Sequence, residues 1–413
     1  MALSDKISSR NQRLSVALVA GEHSGDMLGA DLISALKHQH PAIHCFGVGG
    51  ALMQQEGLES IYPMDKLTAI GFTEALLKLP GLLFIRRWLA KYLIKQKPDL
   101  FISIDAPDFN LGLARRLKQA GIKTIHYVSP TIWAWRKDRI HQIKRATDLV
   151  LCLYPFEPAI YHKHQHPALF VGHPLAHAIA LKDHEIEDTQ DKNAARIELG
   201  IKHNTKHSGD NLNTKADSLI LALLPGSRAT EIKHLGKLFF QVAYSCWQQN
   251  KQLEFVVSAA NPSCFTRLEA LRKDPVFKKM PIKIFTGQSQ TLLRASDVVL
   301  VASGTATLET MLIKRPMTVA YKLSYLNYLL LRWLVKIPFM AQPNWLAGQA
   351  IVPEYLQNQA TMENLSASVM HNLSILGTKE EKDLMQVYHK IHQQLSAANL
   401  ADAFCSGELL DKS

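Results

Sequence analysis

The apolar run Leu100–Ile104 ends on Asp105, and Ala106-Pro107-Asp108-Phe109-Asn110 follows. A carboxylate at the last position of a buried parallel strand points into the crevice beyond the sheet, and Pro107 keeps the strand from continuing. Poor solvation there raises a carboxyl pKa toward that of a working general base. Asp105 also suits a plain turn, and Asp108 and Asn110 suit caps of the next helix. A second carboxylate, Glu22, lies in Gly21-Glu22-His23-Ser24-Gly25-Asp26, directly after another apolar run. This is not the G-x-G-x-x-G of dinucleotide sites, and Ser24 or Asp26 would serve there as an N-cap.

Two loops in the second half have the chemistry of phosphate holders. Leu224-Pro225-Gly226-Ser227-Arg228 offers backbone N–H groups, a hydroxyl and a guanidinium. Such groups hold a diphosphate and stabilise it as it leaves. Ser303-Gly304-Thr305-Ala306-Thr307-Leu308-Glu309 has small residues that let a helix N-terminus approach a phosphate. Glu309, one turn after Thr305, is placed to accept hydrogen bonds from ribose hydroxyls. A plain strand-to-helix turn is the alternative for both loops. With no Walker lysine in either, the pair favours a nucleotide-sugar site over an ATPase. Trp133 and Trp135, in a loop after a strand, suit stacking on a sugar, lining an acyl groove, or anchoring a core. His162, His164 and His166 alternate beside Pro167 but lack Cys or carboxylate partners, so no metal site is expected.

These residues need strands that end beside one another. Short apolar runs predict strands at Leu14–Ala20, Ile43–Val48, Leu100–Ile104, Lys123–Val128 and Leu149–Leu153, with helical patterns between them. The alternation resumes after a polar stretch at Leu219–Leu223, Glu254–Ser258, Ile282–Phe285 and Asp297–Val301. Strand-helix alternation of this kind makes an α/β chain of two doubly wound units, whose ligands sit at the carboxyl ends of the strands. The expected division is 1–175, 176–360 with a polar insertion at about 202–218, and a helical tail at 361–413 that packs back on the first unit or on a partner.

With 413 residues, two domains are expected, and 47% hydrophobic with 20% charged residues excludes a disordered chain. Five scattered cysteines without a C-x-x-C pair form neither a disulfide framework nor a structural zinc site. No apolar stretch reaches 18 residues, and the polar N-terminus lacks a signal-peptide centre, so a cytoplasmic protein is expected. The formal charge of +11 is concentrated locally: between Lys78 and Lys97 there are basic residues and no acidic one. On a 3.6-residue period Leu82, Ile85, Trp88, Leu89, Tyr92 and Leu93 share one face, and Arg87, Lys91 and Lys95 the opposite one. That pattern suits an anionic membrane surface, and equally a core helix with a solvated basic face. Tyr325–Met340 carries the same ambiguity.

Taken together, Gly21-Glu22-x-Ser24-Gly25-Asp26, Ile104–Asn110, Tyr127-Val128-Ser129-Pro130, Trp133-Ala134-Trp135-Arg136, Gly172-His173-Pro174, Leu224–Arg228, Ser303–Glu309 and Pro343-Asn344-x-Leu346-Ala347-Gly348 closely resemble the lipid-A-disaccharide synthases. The resemblance runs in order from about Leu14 to Pro353. It implies two Rossmann-like domains facing across a cleft, the glycosyltransferase B type, inverting and without metal or other cofactor. The implied reaction joins UDP-2,3-diacylglucosamine to 2,3-diacylglucosamine 1-phosphate through a β(1→6) bond and releases UDP. It makes Asp105 the base, Glu22 an assisting or alternative carboxylate, and Gly226, Ser227, Arg228, Ser303, Gly304, Thr305, Glu309 and Asn344 the UDP holders. It gives the basic segment a purpose at the cytoplasmic face of the inner membrane, and allows a homodimer that exchanges C-terminal elements. His23 and Gln349 depart from the family pattern. A UDP-sugar 2-epimerase on the same scaffold is the alternative enzyme. A basic membrane or nucleic-acid binder would leave Asp105 and both phosphate loops without a task, so no nucleic-acid partner is expected.

Overall fold

The structure is a computed structural model that describes residues 14–67, 72–133, 138–181, 186–201, 218–323 and 338–405. The insertion at about 202–218 lies outside them except for Ser218, as do Trp135 and the second apolar stretch up to residue 337. The chain divides into two compact units, one holding the described residues up to Ala178 and from Gln394 onward, the other Ile179–Gln393.

The first unit is built on seven parallel strands: β1 (Ser15–Ala20), β2 (His44–Val48), β3 (Glu59–Ser60), β4 (Leu100–Ile104), β5 (Lys123–Tyr127), β6 (Leu149–Cys152) and β7 (Ala168–Phe170). Their order across the sheet is 3-2-1-4-5-6-7. Runs such as Val16–Ala20 and Leu100–Ile104 are buried on both faces, as expected of a parallel sheet with helices on either side. Val16, Leu18 and Ala20 face one core with Leu28, Leu32 and Leu36 of the helix His23–Gln39. Ala17 and Val19 face the other, with residues of the helices Phe72–Gln96, Pro107–Gln119 and Arg139–Ala146.

The second unit repeats this plan with β8 (Ile220–Leu224), β9 (Glu254–Ala259), β10 (Ile282–Thr286), β11 (Val298–Ala302), β12 (Met317–Tyr321) and β13 (Glu354–Leu356). All pairings are parallel and the order is 10-9-8-11-12-13. The helix Met362–Ser374 packs on β11 and β12, and so belongs to this unit and not to a separate tail. Only the chain after Gln394 joins the first unit. There His173 N donates to Leu395 O (2.9 Å), His177 Nε2 to Ala398 O (2.8 Å), and Ser396 Oγ to Ala176 O (3.1 Å). Leu400 and Ala403 then pack into the core beside the helix His23–Gln39.

In each unit the strand order reverses once in the middle, between β1 and β4 and between β8 and β11. The loops leaving such neighbours diverge and open a crevice at the carboxyl edge, where doubly wound folds bind their ligands.

Candidate active site

Glu22 and Asp105 stand at the first of these reversal points. β1 and β4 are in register with Ala20 opposite Ile104, so the two loops leave side by side. Gly21 permits this closeness, since a Cβ there would come within 3.0 Å of Ala106 Cβ. Asp105 N donates to Tyr127 O (2.9 Å), one pairing beyond β4. The chain then reverses through two residues with positive φ, Asp105 at 50° and Ala106 at 42°. Each such non-glycine residue costs about 1–2 kcal/mol, and the surrounding structure must hold it there. Asn110 does so: fully buried, its Nδ2 lies 2.8, 3.1 and 3.3 Å from the carbonyls of Asp105, Ile104 and Val19. Asn110 is thus a brace for the turn and not a helix cap. Nor does Asp108 cap; it lies within the first helical turn and pairs with Arg139.

Half-buried Asp105 has its pKa raised, chiefly by desolvation and further by the charge of Glu22. Those are the two influences that bring a carboxylate toward general-base strength. Glu22 occupies the N-cap position of its helix without a side-chain capping bond. Asp26 is not the cap either. It is buried, and accepts from Gly50 N (2.8 Å), Leu52 N (3.1 Å) and Met53 N (3.1 Å), pinning the loop after β2.

The second reversal point carries the two expected phosphate loops, which leave the adjacent strands β8 and β11. Gly226 has φ +118°, and a Cβ there would lie 2.4 Å from Glu231 Oε2. Ser227 and Arg228 are exposed, but their backbone N–H groups donate to Glu231 Oε2 at 2.8 and 3.2 Å. A carboxylate thus occupies the donors expected for a diphosphate. Asn261 Nδ2 braces the same loop from below through Ser227 O (3.3 Å). Across the crevice Gly304 is the extended N-cap of the helix Thr305–Leu312, with Gly304 and Thr305 exposed. Ser303 donates its hydroxyl to Met340 O (3.1 Å). Glu309 is half-buried, is reached by Gln290 Nε2 at 3.4 Å, and has its pKa raised by burial.

Asn344 requires correction as a nucleotide contact. It is fully buried, accepts from Ile351 N and Val352 N (both 2.8 Å), and donates to Val352 O (2.9 Å). Its amide shapes the turn from residue 344 to 352 and presents nothing to a ligand. Glu354, which no motif marked, accepts from Met340 N and Ala341 N and thereby fixes the carbonyl that Ser303 uses. Glu231 stands three residues after Arg228, the spacing at which a glutamate reaches back to the N–H that opens its helix, a readable signal; Glu354 had none.

The basic helix also departs from expectation. Leu89 and Leu93 are fully buried in the core, and Leu82, Ile85 and Tyr92 are partly covered against it. The apolar face expected to meet a membrane is therefore mostly the one packed against the protein. Trp88 lies at its border, 39% exposed, stacked 5.7 Å from Tyr92. Phe84 is 72% exposed, and at helical spacing it shares the outward face with Arg87, Trp88, Lys91 and Lys95. Apolar and basic groups are interleaved on one surface and not segregated on two.

Among the described residues no helix is long and apolar enough to cross a membrane, and no cluster of His, Cys, Asp or Glu could hold a metal ion.

Solved structures share this architecture. A glycosyltransferase from Rickettsia africae superposes with a TM-score of 0.57 at 13% identity, covering 98% of this chain and 100% of the other. UDP-GlcNAc 2-epimerase from Neisseria meningitidis, bound to UDP-GlcNAc, gives 0.56 at 11%, covering 96% and 100%. At such identities the likeness is one of fold, and that fold is the two-Rossmann, glycosyltransferase B type. Sequence decides between the chemistries the fold supports: a lipid-A-disaccharide synthase of Azotobacter vinelandii is 46% identical over 92% of this chain and 94% of its own. The enzyme of that name from Pseudomonas aeruginosa is 42% identical over 94% and 97%. The family model described as lipid-A-disaccharide synthetase matches residues 16–405, and the chain belongs to that family. It is accordingly a glycosyltransferase, and the epimerase alternative is not favoured.

Proposed function

We propose that this chain transfers 2,3-diacylglucosamine from UDP-2,3-diacylglucosamine to the 6-hydroxyl of 2,3-diacylglucosamine 1-phosphate. The new bond joins the acceptor O6 to the donor C1 with inversion, the bond from C1 to the diphosphate breaks, and UDP departs. Asp105 takes the acceptor proton. The observation that carries this reading is its carboxyl, desolvated and opposed by Glu22 at the reversal point of the first sheet. The loops after β8 and β11 hold UDP through Gly226, Ser227, Arg228, Ser303, Gly304 and Thr305, while Glu309 receives the ribose. Helix N-terminus and guanidinium then offset the diphosphate charge. Purified protein given both substrates without added metal is expected to form UDP and the tetraacyl disaccharide phosphate. Product made at a comparable rate from an unacylated acceptor would overturn the lipid reading.

The lipid substrates also assign a role to the outward face of the helix Phe72–Gln96. Phe84 and Trp88 enter the headgroup region of an anionic membrane while Arg87, Lys91 and Lys95 meet its charge. Each basic group at such a surface contributes about 1 kcal/mol, so neutralising three weakens partitioning on the order of a hundredfold. Changing all three to Glu is expected to exceed that in sedimentation with anionic vesicles. Unchanged sedimentation would dismiss the face as a membrane contact.

A further inference from the structure

Past Asp105, the edge of the first sheet carries a group of side chains that the proposed reaction leaves unused. Glu157 is buried, 1% exposed, although it sits at the start of the short helix Glu157–His162 in the loop after β6. Its Oε2 accepts from Tyr154 N at 3.2 Å, and the Ser129 hydroxyl and Trp133 indole of the loop after β5 lie near enough to its carboxyl to favour the charged form, against the burial that raises its pKa. Ser129 Oγ is in turn 2.8 Å from Tyr161 OH, one turn along the same helix. The loop after β5 starts on Val128 at φ 78°, a β-branched residue in a region that such side chains avoid. The Val128 N–H donates to Leu151 O of β6 at 3.0 Å, which holds the start of the loop in place.

These ties present an aromatic surface. Trp133 meets Phe156 edge to face at 5.5 Å, Phe156 stacks on Tyr154 at 6.0 Å, and Tyr154 lies 5.7 Å from His173. Trp133 is half-buried and Phe156 is 37% exposed, so both keep a face open. The loops after β5 and β6 emerge at the same carboxyl edge as Asp105, whose own backbone N–H is bonded to β5.

We propose that Glu157 is a positioning residue for the acceptor: by tying the loop that carries Trp133 to the loop that carries Phe156, it sets the aromatic wall that orients the acceptor toward Asp105. This rests on the acceptor assignment made above. Burial pushes the Glu157 carboxyl up to about 8; glutamine keeps an oxygen that can accept from Tyr154 N, and alanine does not.

The test compares Glu157→Gln and Glu157→Ala at pH 7 with synthetic donor and acceptor. The alanine variant is expected to raise the acceptor KM about tenfold or more while the donor KM and the Kd for UDP stay at wild-type values. The glutamine variant is expected to stay within about threefold of wild type. A double variant with Trp133→Ala is expected to be no worse than the poorer single one, because both remove the same wall. A folded Glu157→Ala protein with unchanged acceptor KM, equal losses for donor and acceptor, or additive losses in the double variant would overturn the proposal. Should the alanine variant not fold, the glutamine and Trp133→Ala arms carry the test. An acceptor KM unmoved by Trp133→Ala then overturns it. Absence of product with wild-type enzyme would instead strike the proposed reaction, and this inference with it.

Discussion

Asp105→Asn is expected to lower kcat by roughly a thousandfold, about 4 kcal/mol of barrier, while UDP binds as before. The substitution isolates the proton transfer. Asparagine tolerates positive φ as aspartate does, so the reversal at 50° survives. The bond from the residue 105 backbone to Tyr127 O and the grip of Asn110 on the carbonyls of the turn are untouched. What disappears is the basic oxygen that the proposed reaction sets beside the acceptor hydroxyl. The pH profile gives a second reading of the same group. A base works when deprotonated, and desolvation and the charge of Glu22 raise the Asp105 pKa. Activity is therefore lost as pH falls through a value above the ordinary aspartate range. Glu22→Gln removes one of the two raising influences and is expected to move that acid limb downward. Wild-type turnover in Asp105→Asn would remove it as the base, and an unmoved limb in Glu22→Gln would separate the two carboxylates.

The strand end that carries Asp105 is legible in the sequence and the inward turn of Asn344 is not, because of how each signal is encoded. The end of an apolar strand is a local event, and Leu100–Ile104 was placed to the residue. The other interior strands, β1, β2, β5, β6, β8, β9 and β11, were found within a residue or so of their ends because burial on both faces leaves continuous apolar runs, and the edge strand β10 was found from its alternating Ile282, Ile284 and flanking Phe285 although only Ile282 is buried. Edge strands have no such signature. β3 has two residues, β7 and β13 three each with half-exposed side chains, and none was expected. β12, five residues long, was also missed, and Thr318, its second residue, interrupts the apolar run. Side-chain direction was least legible. Residue types on the helix Phe72–Gln96 show two faces, but which one turns inward depends on the sheet beneath it, a long-range fact. Asn344 and Glu231 similarly have the right chemistry for a ligand, yet both bond to their own backbone.

The largest loss of stability is expected from a residue read only as the start of a strand. Asp297 precedes β11 at the edge opposite the loops that follow β8 and β11, and is buried. It accepts from Arg196 NH2 (2.7 Å), Lys192 Nζ (3.0 Å) and Ile220 N (2.7 Å), joining the helix Ile186–Glu198 to the beginnings of β8 and β11. Arg196 is also buried, and its Nε donates to Ala295 O. Asp297→Ala leaves a buried guanidinium without its anion and a strand N–H without an acceptor, a loss of about 3–5 kcal/mol. For a unit of this size that lowers the midpoint of its thermal transition by about 10 °C. Because the penalty comes from stranding the partner more than from losing attraction, Arg196→Met added to Asp297→Ala is expected to recover part of it. Below the transition kcat is expected to stay at wild type, since a strand of about 17 Å separates Asp297 from Ser303. A midpoint within a degree of wild type in Asp297→Ala, or a double variant that loses the sum of both single losses, would show that this ion pair does not hold the second unit together.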